Sequence, residues 1–157
     1  MLEQQVGELM ERQGLTLVTA ESSTGGLVAN RITNAPGSSA YYLGGFVAYA
    51  NEAKEALLGV RRQTLVAFGA VSKQTAREMA QGARRSMGAD VAISVTGIAG
   101  PAGGTPVKPV GLAYVALSAA DADLCERHVW QGDRLANKEQ TADAALRLLV
   151  TYLQGRR

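Results

Sequence analysis

Two kinds of hydrophobic pattern run through this chain. Apolar residues recur three and four positions apart over residues 2–10, 76–87 and 142–153, and this spacing is typical of amphipathic helices. Short continuous apolar segments, bounded by turn residues, predict strands instead. They lie at residues 15–20, 44–50, 89–96, 110–117 and 124–130.

Helical segments separate the first three predicted strands, and the last two strands follow each other as antiparallel neighbours. Strands that are apolar throughout favour a sheet covered by helices on both faces. We therefore predict an α/β fold, a three-layer α/β/α sandwich around a mostly parallel, mixed central sheet. At 157 residues we expect one domain over positions 1–157.

Polar residues and glycines indicate where the helices begin and end. Gly14 suits a helix C-cap, and Ser72 suits the N-cap of the helix over 76–87. Asn51 is predicted to cap a helix over the next eight residues. Asn137, with Gln140 three residues later, resembles a capping box at the start of the last helix.

Three polar loops follow the first three parallel strands. They span residues 21–26, 49–54 and 96–108. Ligands of open α/β sheets bind beyond the carboxyl ends of the strands, so these loops are predicted to converge at one edge of the sheet. This edge is the predicted site.

The loop over residues 96–108 is rich in glycine and contains Lys108. Gly97, Gly100 and Gly103 allow backbone N–H groups to approach a ligand, and the lysine adds a cation, which suits a phosphate. A flexible connection is the alternative. The first loop places Ser22, Ser23 and Thr24 before Gly25 and Gly26 at a helix start, where an anion is also favoured. Here the alternative is an ordinary N-cap with close packing.

Lys54 lies in the first turn of the helix that Asn51 is predicted to cap. The positive end of the helix dipole there lowers the pKa of a lysine, and a partly neutral amine serves a hydroxyl nucleophile as its base. Tyr49 would donate or relay a proton. The alternative is a surface lysine paired with Glu52 or Glu55.

Arg134 precedes the last helix and would clamp a phosphate or carboxylate, unless it is simply an exposed loop residue. His128 is interpreted as structural and Cys125 as a small buried apolar residue. With one histidine and one cysteine, we expect no disulfide, no metal site and no cofactor.

A net charge of +2 with 5% aromatic residues argues against nucleic acid as a partner. The amino-terminal segment has no apolar signal core, and no apolar segment is long enough to span a membrane. We therefore expect a cytoplasmic protein that does not bind membranes.

Four segments of the chain carry most of this chemistry: AESSTGG, GGFVAYANEAKEALLGV, GAVS and SVTGIAGPAGGTPVKPVG. Together they resemble the C-terminal domain of the competence-damage-inducible protein A (CinA) family over residues 6–153. That family includes stand-alone nicotinamide-nucleotide amidases. The resemblance implies a hydrolase that converts nicotinamide mononucleotide, a nucleotide substrate, to nicotinic acid mononucleotide and ammonia.

The resemblance also implies a ligand site at Ser22, Thr24, Gly25, Ser39, Tyr49, Lys54, Thr96, Gly97 and Arg134. Our mechanistic hypothesis makes Ser39 the nucleophilic or water-orienting hydroxyl, with Ser22 the next candidate, Lys54 the base and Tyr49 the orienting or protonating group. The predicted substrate contacts are Thr24, Gly25, Gly26, Gly45, Asn51, Thr96, Gly97, Gly100, Gly103, Lys108 and Arg134.

This chain departs from the family pattern at Ser23, where the family usually has cysteine. Either no thiol is needed there or this member is inactive. We expect no part of the amino-terminal pyrophosphatase domain of larger members within these 157 residues, so its metal-dependent activity is not implied. A nucleotide sensor and a partner-binding protein of DNA uptake and repair are the other candidate functions. A homodimer or higher homo-oligomer is expected.

Overall fold

The computed structural model describes residues 1–156, which form a five-stranded sheet between two layers of helices. The strands are β1 (Leu17–Glu21), β2 (Tyr42–Val47), β3 (Val91–Gly97), β4 (Leu112–Ala119) and β5 (Ala122–Val129). Their order in the sheet is β2-β1-β3-β4-β5. Strand β1 pairs in parallel with β2 and β3, whereas β4 is antiparallel to both β3 and β5. Only β4 therefore runs against the other strands.

Six α-helices cover the sheet: α1 (Leu2–Gln13), α2 (Leu27–Thr33), α3 (Asn51–Leu58), α4 (Arg62–Phe68), α5 (Lys73–Met87) and α6 (Arg134–Gly155). A short 3₁₀ turn, Ser38–Ala40, precedes β2. Helices α1, α2 and α6 pack on one face of the sheet, and α3, α4 and α5 pack on the other. The predicted α/β/α sandwich with a mostly parallel, mixed sheet is confirmed.

Two glycines allow close packing between the elements. At Gly82 in α5, a Cβ atom would lie 1.7 Å from the backbone oxygen of Leu58, so α3 and α5 meet with nothing between them. Gly111, at φ 90°, precedes β4, and a Cβ atom there would lie 2.0 Å from the backbone oxygen of Trp130. A side chain at either position would push backbone segments apart.

Two predicted helix caps are wrong. The N-cap of α3 is Ala50, and Asn51 is already the first helical residue. Helix α6 begins four residues earlier than predicted, because the carboxylate of Asp133 accepts a hydrogen bond from the Ala136 N–H and supplies the cap. Asn137 therefore lies inside the helix. The predicted Ser72 N-cap of α5 is confirmed, with its hydroxyl accepting from the Thr75 N–H, and so is the Gly14 C-cap of α1.

The sheet topology places the carboxyl ends of β1, β2 and β3 at the same edge. The Ser22 N–H donates to the Val95 oxygen and the Ala48 N–H donates to the Glu21 oxygen, so the chain segments that leave β1 and β2 stay in register with their neighbours. The three polar loops predicted from the sequence therefore leave the sheet side by side.

Candidate active site

The centre of this edge is the amine of Lys54, which is 1% exposed. Its Nζ donates to Ser22 Oγ at 3.0 Å, to the Ala48 backbone oxygen at 3.0 Å and to the Tyr49 backbone oxygen at 2.8 Å. No carboxylate among residues 1–156 forms an ion pair with it. The alternative of a surface lysine paired with Glu52 or Glu55 is excluded.

Burial lowers the pKa of Lys54 below its ordinary value of 10.5. The cause is desolvation, because removal from water penalises the ammonium more than the amine. The three contacts match the three N–H groups of the ammonium; after loss of one proton, two N–H groups can still satisfy the two backbone oxygens, and the lone pair would face Ser22 Oγ, which can also donate. This geometry is that of a base beside a hydroxyl.

The amino-terminal end of α2 already holds an anion that the chain itself supplies. Glu21, 1% exposed, accepts at Oε1 from Thr24 Oγ1 (2.6 Å), from the Val28 N–H (2.9 Å) and from the Gly26 N–H (3.2 Å). Its Oε2 accepts from the Ala29 N–H at 3.0 Å. In this structure Glu21 occupies these donors of Thr24 and Gly26, and the binding of a ligand anion there stays a prediction.

Arg134 joins the loops that follow β2 and β3. Its NH1 donates to the Gly100 oxygen at 2.7 Å and its NH2 donates to the Tyr49 hydroxyl at 3.2 Å. Tyr49 is 59% exposed, and its phenol thus bonds to Arg134 while its backbone oxygen accepts from Lys54. Arg134, Gly100, Tyr49 and Lys54 form one connected group, as predicted for a common edge.

Two predicted donors point away from this group. Thr96 Oγ1 donates to the Ala70 oxygen at 2.8 Å and so ties the end of β3 to the segment before α5. Lys108 Nζ donates to the Phe68 oxygen at 2.5 Å, at the carboxyl end of α4, where the helix dipole favours a cation. In this structure both groups hold segments of the fold together, and their contact with a substrate stays a prediction.

Other predicted contacts have structural explanations too. A Cβ atom at Gly45 would lie 2.2 Å from Thr19 Oγ1, so this glycine in β2 serves packing against β1. A Cβ atom at Gly97 would lie 2.8 Å from the Leu112 oxygen. Gly25, at φ 60°, lies beside Lys138, whereas Gly103 and Asn51 are exposed.

Ser39 lies at the opposite end of the strands from Lys54, beside the amino-terminal end of β2. It belongs to the turn Ser38–Ala40, just before β2 begins, whereas Lys54 follows the end of β2. Since β2 has six residues that rise about 3.3 Å each, roughly 20 Å separates these two ends. The prediction that Ser39 and Lys54 act together is therefore not met within one copy of the chain, where Ser22 is the hydroxyl on the lysine.

Sequence reasoning missed three residues of this edge. Glu21 fills the start of α2, and Lys138 Nζ lies 3.8 Å from the Cβ position of Gly25. Asn137, 2% exposed, accepts from the Gly132 N–H and donates to the Ala99 oxygen, and so ties α6 to the loop after β3. Asn137 could have been identified from the sequence, because it is a polar residue on the same helical face as the apolar stripe of α6.

The described residues contain no helix long and apolar enough to cross the membrane, and no group of three or more potential metal ligands among His, Cys, Asp and Glu. His128 stacks on Trp130 in β5 and the segment after it, away from the Lys54 edge. Burial raises the pKa of Cys125 to about 11, so its thiol is protonated at neutral pH.

Comparison with known proteins supports the resemblance. The model of the CinA C-terminal domain matches residues 1–153. A CinA-like protein of Chloroherpeton thalassium is 54% identical over 98% of this chain and 38% of its own length, and one of Chlorobium limicola is 48% identical over 98% of this chain and 37% of its own. The chain thus spans less than two-fifths of these relatives.

Solved structures agree with the fold. A CinA superfamily protein from Klebsiella pneumoniae superimposes with a TM-score of 0.95 at 34% identity, covering 99% of this chain and 97% of its own. The competence/damage inducible protein CihA from Agrobacterium tumefaciens does so with a TM-score of 0.85 at 42% identity, covering 96% of each chain.

Proposed function

The chain belongs to the CinA C-terminal domain family, and we propose that it hydrolyses the carboxamide of a nucleotide, converting nicotinamide mononucleotide to nicotinic acid mononucleotide and ammonia. The observation that carries this proposal is the buried amine of Lys54, which bonds to Ser22 Oγ and to two backbone oxygens without a carboxylate partner. A lysine that only bound an anion would gain nothing from a lowered pKa, whereas a base requires one.

The proposed reaction has two halves. Ser22 Oγ attacks the carboxamide carbon while its proton passes to Lys54 Nζ, and a tetrahedral intermediate forms. The C–N bond then breaks, and Lys54 returns the proton to the leaving nitrogen, which departs as ammonia. Water attacks the resulting ester, gives its proton to Lys54, and the carboxylic acid leaves as Ser22 Oγ recovers the proton.

The negative oxygen of the intermediate requires hydrogen-bond donors. The Gly25 and Gly26 N–H groups already donate to the Ser22 oxygen and to Glu21. We assign this role to the Ser23 backbone N–H, because the peptide group directly after a nucleophilic serine is well placed for it. A backbone donor works with any side chain at position 23, which accommodates serine where the family usually has cysteine.

The phosphate of the substrate is assigned to two cations at the start of α6, Arg134 and Lys138. Arg134 is exposed, and its two recorded contacts are a backbone oxygen and a phenol rather than a carboxylate. Lys138 forms no ion pair among residues 1–156. Neither side chain is engaged by a carboxylate among these residues, so both are available to a ligand phosphate.

The test is ammonia release from nicotinamide mononucleotide by the purified chain, with Lys54→Ala as the inactive variant. Lys73→Ala, an exposed lysine at the start of α5, is the matched control and should keep wild-type activity. Binding of the nucleotide without ammonia would favour a sensor and overturn the amidase. Neither binding nor ammonia would favour a partner-binding role.

A further inference from the structure

A groove of about 330 Å³ lies between β5 and α6, and none of the residues that line it belongs to the Lys54 group. Trp130 packs with the core on the α6 side of the sheet, whereas Cys125 packs with the core on the α5 side. Because side chains alternate along a strand, Glu126 and His128 face α6 together with Trp130. Ligand sites usually hold about 300–1,000 Å³, so this β5–α6 groove is large enough to be one.

The groove contains an aromatic surface that is held in place. The rings of His128 and Trp130 are stacked, with their centroids 4.6 Å apart and their planes 9° from parallel. The indole N–H of Trp130 donates to Thr141 Oγ1 at 2.9 Å, which fixes the orientation of the ring. Helix α6 adds two buried apolar side chains, Ala144 and Leu148, to the lining. Flat rings with apolar neighbours are suited to stacking against a planar aromatic ligand.

Two opposite charges in the lining are available to a ligand. Arg147 of α6 is exposed and forms no ion pair within residues 1–156. In that same part of the chain, Glu126 pairs with no lysine or arginine, and His128 Nε2, 3.5 Å from its carboxylate, has no hydrogen-bond partner. Asp143, by contrast, is paired with Arg31. The groove therefore presents one available guanidinium and one available carboxylate.

The positions of these charges indicate what kind of ligand fits the groove. Glu126 lies two residues before His128 on the same face of β5, so its carboxylate is next to the stacked rings. Aromatic faces and a nearby carboxylate both favour a positive charge on the ring of the ligand. Arg147 lies on the opposite wall, which α6 forms, and a guanidinium there suits a phosphate or a carboxylate.

We propose that the β5–α6 groove is a second ligand site, which binds a planar aromatic ring with a positive charge that also carries an anionic group. A pyridinium nucleotide has this combination, because its ring is cationic and its phosphate is anionic. The choice of nicotinamide mononucleotide as the ligand rests on the proposed amidase function, whereas the shape and charge of the groove do not. The chain then binds this nucleotide at two places: at Lys54, where it is hydrolysed, and in the groove, where it is only bound.

The groove is tested by the fluorescence of Trp130, the only tryptophan of the chain, which reports on this site and not on the Lys54 edge. In a Lys54→Ala background, so that the nucleotide is not consumed, nicotinamide mononucleotide should quench this fluorescence to a plateau. Nicotinamide riboside, without the phosphate, should bind more weakly, and nicotinamide, which also lacks the positive charge, more weakly still. No saturable change with the mononucleotide, or equal affinity for all three compounds, would overturn the proposal.

Substitutions in the groove distinguish binding from collisional quenching. Arg147→Ala should lower the affinity for the mononucleotide about tenfold, as expected for one lost charge-assisted hydrogen bond, and should leave that for the riboside unchanged. Glu126→Gln should lower the affinity for both about threefold, because an exposed charge pair contributes less. Arg127→Ala, at an exposed arginine on the other face of β5, is the matched control and should bind like the parent. Linear quenching that is the same in the parent and all variants would be collision alone and would overturn the site.

Failure of the groove and failure of the proposed function are distinguishable. If the wild type releases no ammonia while Trp130 responds with the expected charge dependence, only the amidase fails and the groove is still a binding site. Replacement of both Arg134 and Lys138 by alanine should leave the plateau and the midpoint of the titration unchanged, because these cations belong to the Lys54 edge. A response that disappears in this double variant would come from the Lys54 edge and would overturn the second site.

Discussion

Lys54 removes its amine from water at a position where no carboxylate balances the charge. Its proximity to hydroxyls could be predicted from the sequence, because the loops after parallel strands share one edge. The cause of its lowered pKa could not. The helix dipole was expected to lower it, whereas burial does so, and burial depends on residues from distant parts of the chain. The same holds for Glu21, whose partners become visible only when α2 is placed.

Burial of Lys54 predicts a stability cost that depends on pH. Because its folded-state pKa lies below the ordinary 10.5, the ammonium is buried at a penalty below the folded pKa, and this penalty fades as pH rises towards 10.5. Lys54→Met should therefore raise the free energy of unfolding at neutral pH, and less so near pH 10.5, as measured by urea denaturation. Equal gains at both pH values would contradict the assignment.

The same pKa predicts the pH dependence of the reaction. The proposed turnover requires the neutral amine, so kcat/KM should rise with pH through an apparent pKa that lies below 10.5. Above that apparent pKa, kcat/KM should no longer change with pH. Steady-state ammonia release measured from acidic to alkaline pH captures this limb. A rate that is independent of pH over the whole range would remove Lys54 from the role of base.

Glu21 predicts a loss of stability on substitution. Glu21→Ala would leave the N–H groups of Gly26, Val28 and Ala29 without their acceptor at the buried start of α2. The expected cost is about 1–3 kcal/mol in the free energy of unfolding, in line with unsatisfied buried donors. Glu139→Ala, at an exposed position of α6, is the control and should change it by less than about 0.5 kcal/mol.

At the scale of elements, hydrophobic spacing predicted the helices and strands well, because each apolar stripe had a face of the sheet to cover. Helix ends were predicted less well. Asn137 was interpreted as the cap of α6, since asparagine favours that position, but Asp133 lies earlier and takes the role. Two candidate capping residues four positions apart cannot be ranked from sequence alone, because the residue at which the helix begins depends on where the preceding strand ends.

Contact between α3 and α5 predicts a strong effect at Gly82. A Cβ atom there would lie 1.7 Å from the Leu58 backbone oxygen, and rigid backbone cannot move aside locally. Gly82→Ala should therefore destabilise the fold by about 1–3 kcal/mol, although alanine is the better helix former. Ser86→Ala, exposed on the same helix, serves as the control in thermal or urea unfolding. A stabilised Gly82→Ala protein would contradict this packing.

At the scale of the whole molecule, the order β2-β1-β3 explains why three loops distant in sequence leave the same end of the sheet. This convergence followed from the alternation of strands and helices. The position of Ser39 did not, because a motif states which residues belong together without stating whether one chain or two supplies them. A serine before β2 and a lysine after it are held apart by the strand itself, so the fold of one chain does not bring them together.

The amino-terminal end of α6 brings two cations, Arg134 and Lys138, to the end of the sheet where Lys54 lies. Their position predicts that the proposed site prefers a substrate with a phosphate. Replacement of Arg134 and Lys138 by alanine should raise the KM for nicotinamide mononucleotide by about 10–100-fold, as expected for lost charged hydrogen bonds. The KM for nicotinamide riboside, which has no phosphate, should change little, because the double variant leaves Lys54 and Ser22 in place. Equal losses for both substrates would mean that these cations hold the loops in position rather than bind the phosphate.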